Sequence, residues 1–187
     1  VRNEDGDPRV IDSDGVTVTN AETLDVVVED GDATITEVGG DEATSISFTS
    51  ENNLTVGSGV DDKDGLEDDA TALTNATGSD LTESIDASNV AGAFTIALAD
   101  GLGGDDDQDF SFTGGDGGVN IALGDQSAIT KNEIEVTTGS GDDTITFNSD
   151  GDGADFQTSG ANDESVVIDT GDGDDTIVVD GDADGAG

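Results

Sequence analysis

Stretches with the β-branched character of strands run for only three to five residues before Gly, Asp or Asn interrupts them, and no helical i, i+3, i+4 recurrence of any length is present. The clearest runs are Leu24–Val28, Thr34–Val38, Ser45–Thr49, Leu54–Val56, Phe94–Leu98, Phe110–Phe112, Val119–Leu123, Glu133–Thr137, Thr144–Phe147, Ser165–Ile168 and Thr176–Val179. Strands this short suit a stack in which every rung is buried by the rungs above and below it. The side chains agree. Hydrophobic residues make up 32% of the 187, with six Phe and no Trp, Tyr or Met, whereas roughly 45–50% is usual for a globular domain. A core must therefore be thin and built from Val, Ile, Leu, Ala and Thr. The expectation is an all-β chain, a parallel β-solenoid of the β-roll or β-helix kind with Gly-Asp turns.

Periodicity supports a stack. Thr146, Phe156, Val167 and Val178 mark successive strand centres at intervals of 10, 11 and 11 along the sequence. Intervals of this size predict half-coils, two of which make a full coil with a period of about 20 to 22. The letters repeat as well. Val136-Thr-Thr-Gly-Ser-Gly-Asp-Asp-Thr-Ile145 recurs as Ile168-Asp-Thr-Gly-Asp-Gly-Asp-Asp-Thr-Ile177, an offset of 168 − 136 = 32, and Phe94–Asp100 echoes in Val119–Asp125 at 119 − 94 = 25. The organisation read from this has three parts: a solenoid-like strand segment at 1–56, an acidic insertion or linker at 57–80, and a solenoid at 81–187 with its strongest repeats at 138–187. Within the insertion, Leu66–Ala76 suits a short helix or a disordered excursion. Val1–Gly15, with the lone Pro and two of the four basic residues, reads as a linker or an entering first turn.

Charge opposes compaction, since 46 Asp plus Glu face 4 Lys plus Arg for a formal net charge of −42. Divalent cations held by carboxylates, or molar salt, would relieve the repulsion. Such a surface repels nucleic acid and anionic lipid, so neither is an expected partner. Cys and His are absent, which removes disulfides and the usual ligands of zinc, copper and iron and leaves hard oxygen donors. No apolar stretch approaches the ~18 residues of a membrane span, so membrane insertion is not expected, and Val1 opens no signal-peptide pattern. With no Met, the chain is expected to be an interior piece of a longer polypeptide whose export signal lies elsewhere.

The segments that carry chemistry are Gly139-Ser-Gly-Asp-Asp-Thr-Ile145 and Gly171-Asp-Gly-Asp-Asp-Thr-Ile177. They match the calcium nonapeptide G-G-x-G-x-D-x-U-x at every position except the first Gly, which is Thr138 and Thr170. Gly139, Gly141, Gly171 and Gly173 permit a tight turn and leave carbonyl oxygens free for a cation. Asp143 and Asp175, beside Asp142 and Asp174, supply carboxylates, and Ile145 and Ile177 anchor the following strands. Ca2+ suits the set because it takes six to eight oxygens in flexible geometry. Two weaker turns, Gly151-Asp-Gly-Ala-Asp155 and Ser159-Gly-Ala-Asn-Asp163, add Asp152, Asp155 and Asp163. Asp180, Asp182 and Asp184 add a D-x-D-x-D-G half-site. In the series Asp143, Asp155, Asp163, Asp175 and Asp184, alternate members are offset by 163 − 143 = 20, 175 − 155 = 20 and 184 − 163 = 21. That spacing predicts one edge lined by Asp143, Asp163 and Asp184 and the other by Asp155 and Asp175, with each cation between vertically adjacent turns. Gly114-Gly-Asp-Gly-Gly-Val-Asn-Ile121 keeps the glycines of the motif but has Val119 at the ligand position. Asp61, Asp62, Asp68 and Asp69 read as a solvated face.

These nonapeptides resemble the repeats-in-toxin proteins exported by type I secretion, and within them the surface-layer and large adhesin members. The stretch Ile85–Leu98 is also similar to the ladder that precedes the calcium repeats in the surface-layer group. The resemblance covers roughly the C-terminal half. It implies a right-handed parallel β-roll that stays unfolded in calcium-poor cytosol and folds outside the cell when calcium binds. The uneven spacing, the missing first glycines and Val119 depart from a regular array.

Three functions follow as expectations. The first is a calcium-binding, extracellular structural module at the cell surface that self-associates into a lattice or fibre, with a surface polysaccharide as a further partner. The second is a halophile's acidic surface protein without specific calcium sites, with which the sequons at Asn53 and Asn75 agree. The third is a polysaccharide-cleaving β-helix, disfavoured because there is no His, Cys, Trp or Tyr. A non-enzymatic chain is expected.

Overall fold

The computed structural model describes residues 9–11, 16–18, 22–35, 38–40, 44–57, 83–98, 109–123, 133–147 and 165–179. Among them the chain is all-β. Its strands are β1 (Arg9–Ile11), β2 (Val16–Val18), β3 (Thr23–Val28), β4 (Ala33–Ile35), β5 (Val38–Gly40), β6 (Ser45–Ser50), β7 (Leu54–Val56) and β8 (Ser84–Val90). They continue as β9 (Phe94–Leu98), β10 (Phe110–Thr113), β11 (Val119–Leu123), β12 (Glu133–Thr137), β13 (Thr144–Phe147), β14 (Ser165–Asp169) and β15 (Thr176–Val179). A seven-stranded sheet runs β1-β4-β7-β9-β11-β13-β15, a six-stranded sheet runs β14-β12-β10-β8-β6-β3, and β2 pairs with β5. All pairings are parallel. From β6 onward the chain alternates between the two large sheets, and each strand pairs with its counterpart one rung earlier.

Alternation within the strands sends one set of side chains between the sheets. Ile35, Val56, Ile96, Ile121, Ile145 and Ile177 form one in-register column. Leu24, Ile46, Ile85, Phe112, Val136 and Ile168 form another on the facing sheet. Phe94 of the seven-stranded sheet meets Phe48 and Phe112 of the six-stranded sheet, with ring centroids 5.4 and 6.2 Å apart. Five of the six Phe are buried here, at positions 48, 94, 110, 112 and 147. Each such burial is worth about 1.5–3 kcal/mol, so even a thin core of this kind opposes the charge repulsion rung by rung.

The strand expectations need three corrections. The run Thr34–Val38 is two strands in different sheets, because β7 ends at Val56 and the pair with β4 closes there: Gly57 N–H donates to Ile35 O at 2.8 Å while Gly57 takes φ +106°. Part of the first fifteen residues, expected as linker or entering turn, is β1, an edge strand of the larger sheet. And β2 has no counterpart among the expected runs, nor has β8. Its register against β6 shifts between Ser47 and Thr49, where two steps on β6 oppose three on β8, and this bulge breaks the alternation by which a strand is read from sequence.

The coil length is not uniform. Between registered partners the sequence offset is 54 − 33 = 21 from Ala33 to Leu54, 144 − 120 = 24 from Asn120 to Thr144 and 119 − 94 = 25 from Phe94 to Val119. It rises to 176 − 144 = 32 from Thr144 to Thr176 and 84 − 45 = 39 from Ser45 to Ser84. Both sheets therefore run straight past the acidic segment at 57–80, of which only Gly57 is among the described residues, and Leu66–Ala76 lies outside them.

Candidate functional site

The two repeated turns lie at the corner that leads from the six-stranded to the seven-stranded sheet. Thr137 pairs with Thr113 on one side and Asp169 on the other, and Thr144 pairs with Asn120 and Thr176. Residues 114–118, 138–142 and 170–174 are thus stacked equivalents. Gly115, Gly139 and Gly171 form one column and Gly117, Gly141 and Gly173 a second. A Cβ on Gly139 would strike Gly115 O, one on Gly171 would strike Gly139 O, and one on Gly173 would strike Gly141 O. Gly171 and Gly173 also take positive φ, +68° and +152°. The glycines are needed because backbone lies on backbone from turn to turn.

The expected arrangement of ligand edges is overturned by this stacking. Asp143 and Asp175 share one column, each directly preceding the registered pair Thr144 and Thr176, and Asp143 N–H donates to Asp175 Oδ1 at 3.0 Å. The unit that stacks is the longer repeat, at the offset of 176 − 144 = 32, in place of the shorter coil. The reason is steric: a Cβ at position 171 or 173 would strike Gly139 O or Gly141 O, so the turn that seats on residues 138–142 must carry glycine at those places, whatever number of residues lies between. Thr146 accordingly pairs with Val178, and Val167 belongs to the other sheet opposite Glu135. Phe156, Asp152, Asp155, Asp163, Asp180, Asp182 and Asp184 lie outside the described residues.

Asp143 is 1% exposed. Its Oδ1 accepts from Val119 N–H at 2.7 Å and its Oδ2 from the Thr138 hydroxyl at 2.6 Å, so both carboxylate oxygens have a protein donor. The departure of Thr138 from the nonapeptide thus has a local use: its side chain, 6% exposed, closes the turn on Asp143. The recurrence of Thr at 138 and 170 was the sequence signal for it. Thr176 N–H donates to Asp143 O at 2.8 Å and Asp172 N–H to Gly139 O at 3.2 Å, tying the last turn to the one before.

One position earlier a second ladder runs along the same corner. Asp32 Oδ1 accepts from Asn53 N–H at 3.1 Å, Asn53 Oδ1 from Ala93 N–H at 2.8 Å, and Asp142 Oδ1 from Asp174 N–H at 3.0 Å. Asp and Asn in these places brace the next rung. Spacing rules for metal turns do not find them, because each bond reaches across a whole coil of sequence, from an offset of 21 for Asp32 to one of 40 for Asn53. Val119 fills the column position of Asp143 one rung earlier, and it is buried in a column with Phe94, Leu54 and Ala33. The change from an apolar column to Asp143 and Asp175 comes at the two repeated turns.

Asp142, Asp172 and Asp174 are exposed on the rim and Asp175 is half-buried. Among the described residues, no three or more acidic side chains gather closely enough to hold a metal ion. Comparison of the chain with protein-family models, curated proteins and solved structures found no match.

Proposed function

We propose that the chain is a parallel β-solenoid serving as a structural and assembly module of an extracellular, cell-surface protein, with Ca2+ bound along the stacked Gly-Asp turns and no catalysis of its own. The observation that supports it best is the stacking of Asp143 on Asp175 directly after two glycine columns, with the rim carboxylates of Asp142 and Asp174 one position away. Carbonyl oxygens and carboxylates at adjacent rungs are the donors Ca2+ favours. Binding there would add the metal's free energy to a fold that −42 of formal charge works against. Lattice or fibre partners, and a surface polysaccharide, belong to the same reading.

A second reading is favoured by one observation: both oxygens of Asp143 already have protein donors. The acidic turns then need only ionic screening, as in a halophile's surface protein. Removal of calcium by a chelator at constant ionic strength separates the two, followed by far-ultraviolet circular dichroism and light scattering. The calcium reading expects loss of β-signal, recovery on adding calcium, and loss of that response in Asp143→Asn. Unchanged signal and assembly state, with stability following ionic strength alone, would reject calcium and select the halophile reading.

A further inference from the structure

Thr34, Thr55, Thr95, Asn120, Thr144 and Thr176 form an in-register column on the outer side of the seven-stranded sheet. Two places before the Thr residues of this column stand Asp32, Asn53, Ala93, Asp142 and Asp174. Bracing the adjacent rung from that corner takes one acceptor oxygen. Asp32 and Asp142 supply it from a carboxylate, and Asn53 supplies it through Oδ1, which accepts from Ala93 N–H at 2.8 Å. An amide in this place therefore adds to the brace only a second atom, Nδ2. Asn53 is exposed, and among the described residues nothing accepts from that Nδ2. Of the described Asn residues, Asn52, Asn53, Asn89 and Asn120, Asn53 alone has a hydroxyl residue two places on, Thr55. Asn-x-Thr with x other than Pro is the acceptor pattern for N-linked glycans.

We propose that Asn53 is a modification site, carrying an N-linked oligosaccharide that projects from the corner ahead of β7. The proposal rests on the extracellular reading, because transferases that use lipid-linked sugar donors act on exported chains. In the transfer, a bond forms between Nδ2 and C1 of the first sugar as the C1–O bond to a polyprenyl diphosphate breaks. Nδ2 gives up one proton, and the diphosphate leaves with the bonding electron pair. The folded chain is closed to this reaction although Asn53 itself is exposed. Leu54 is fully buried, its N–H donates to Ala93 O at 2.9 Å, and Thr55 pairs with Thr34 and Thr95, so the Asn-Leu-Thr segment cannot be lifted into the cleft of an enzyme. Transfer therefore precedes the pairing of β7 with β4 and β9. Afterwards the substituted amide keeps Oδ1 as the acceptor for Ala93 N–H, and the glycan lies outside the stack.

Mass spectrometry of the protein isolated from its own cells and digested with trypsin tests this. Cleavage after Arg9, Lys63 and Lys131 places Asn53 in the peptide Val10–Lys63 and the other sequon, Asn75, in Asp64–Lys131. The expected result is a Val10–Lys63 peptide heavier by a whole number of sugar residues, with the increment located at Asn53 by fragmentation. The increment is lost in Thr55→Val and in Asn53→Asp, and the second of these keeps its β-signal in circular dichroism because a carboxylate still accepts from Ala93 N–H. Unmodified protein offered to an oligosaccharyltransferase and its lipid-linked donor is expected to react while unfolded and not once folded; equal reaction in both states overturns the order of events. A bare Val10–Lys63 peptide from protein at the cell surface, or an increment confined to Asp64–Lys131, overturns the proposal and leaves the extracellular reading standing. Protein found in the cytosol alone overturns the reading and the proposal together.

Discussion

Asp143 illustrates how a residue chosen for one kind of chemistry is held by another. A buried carboxylate costs several kcal/mol unless its oxygens are paired, and here Val119 N–H and the Thr138 hydroxyl meet that need. Asp143→Ala leaves both donors without an acceptor, and urea unfolding is expected to show a loss of about 2–5 kcal/mol. With calcium absent, Asp143→Asn can still accept from Val119 and donate to Thr138, so it should lose much less. Equal losses in the two variants would show that the charge, and not the hydrogen bonds, holds the turn. Gly171 is the second sensitive position, since φ +68° and the nearness of Gly139 O leave no place for a methyl group. Gly171→Ala is expected to cost more than about 2 kcal/mol, measured by thermal melting; a variant that melts with the wild type would contradict the backbone-on-backbone stacking.

At the scale of elements, strand identity follows from β-branched runs, and Phe94–Leu98, Val119–Leu123, Glu133–Thr137, Thr144–Phe147 and Thr176–Val179 keep the bounds read from sequence. Glu133–Thr137 and Thr144–Phe147 alternate cleanly, Phe94–Leu98 and Val119–Leu123 end in an unbroken buried run, and Gly, Asp or Asn follows each of the five within two residues. Strand β8 was illegible because Ser84–Val90 is mostly polar and its bulge displaces Val90 from the period. The division of Thr34–Val38 was illegible for a different reason: where a strand stops depends on the length of the partner beside it. The aromatic contact between sheets gives the sharpest test at this scale. Phe94→Ala removes the ring that touches Phe48 and Phe112. It should cost about 3–5 kcal/mol by denaturant unfolding, and Phe94→Leu clearly less. Equal and small effects would mean that the sheets are not joined through this ring.

For the whole molecule, a formal charge of −42 is spread over a stack with a core only one side-chain layer between two sheets. Added salt shortens the screening length from about 30 Å at 0.01 M to about 3 Å at 1 M, and long-range repulsion between rungs fades with it. By itself the sequence determined the class of structure, all-β with short strands, and located the turns where glycine and aspartate recur. It also contained the true stacking unit, as the offsets of 25 and 32 between matching stretches, beside a competing, shorter spacing. Tertiary structure decided between them. Counting residues measures chain length, but a parallel sheet is sorted by hydrogen-bond register and by what fits against what. A loop can lengthen at a cost that grows only with the logarithm of its length, whereas a glycine turn displaced from the glycine turn beneath it collides at once. That difference put Asp175 over Asp143 and made one column out of two predicted edges.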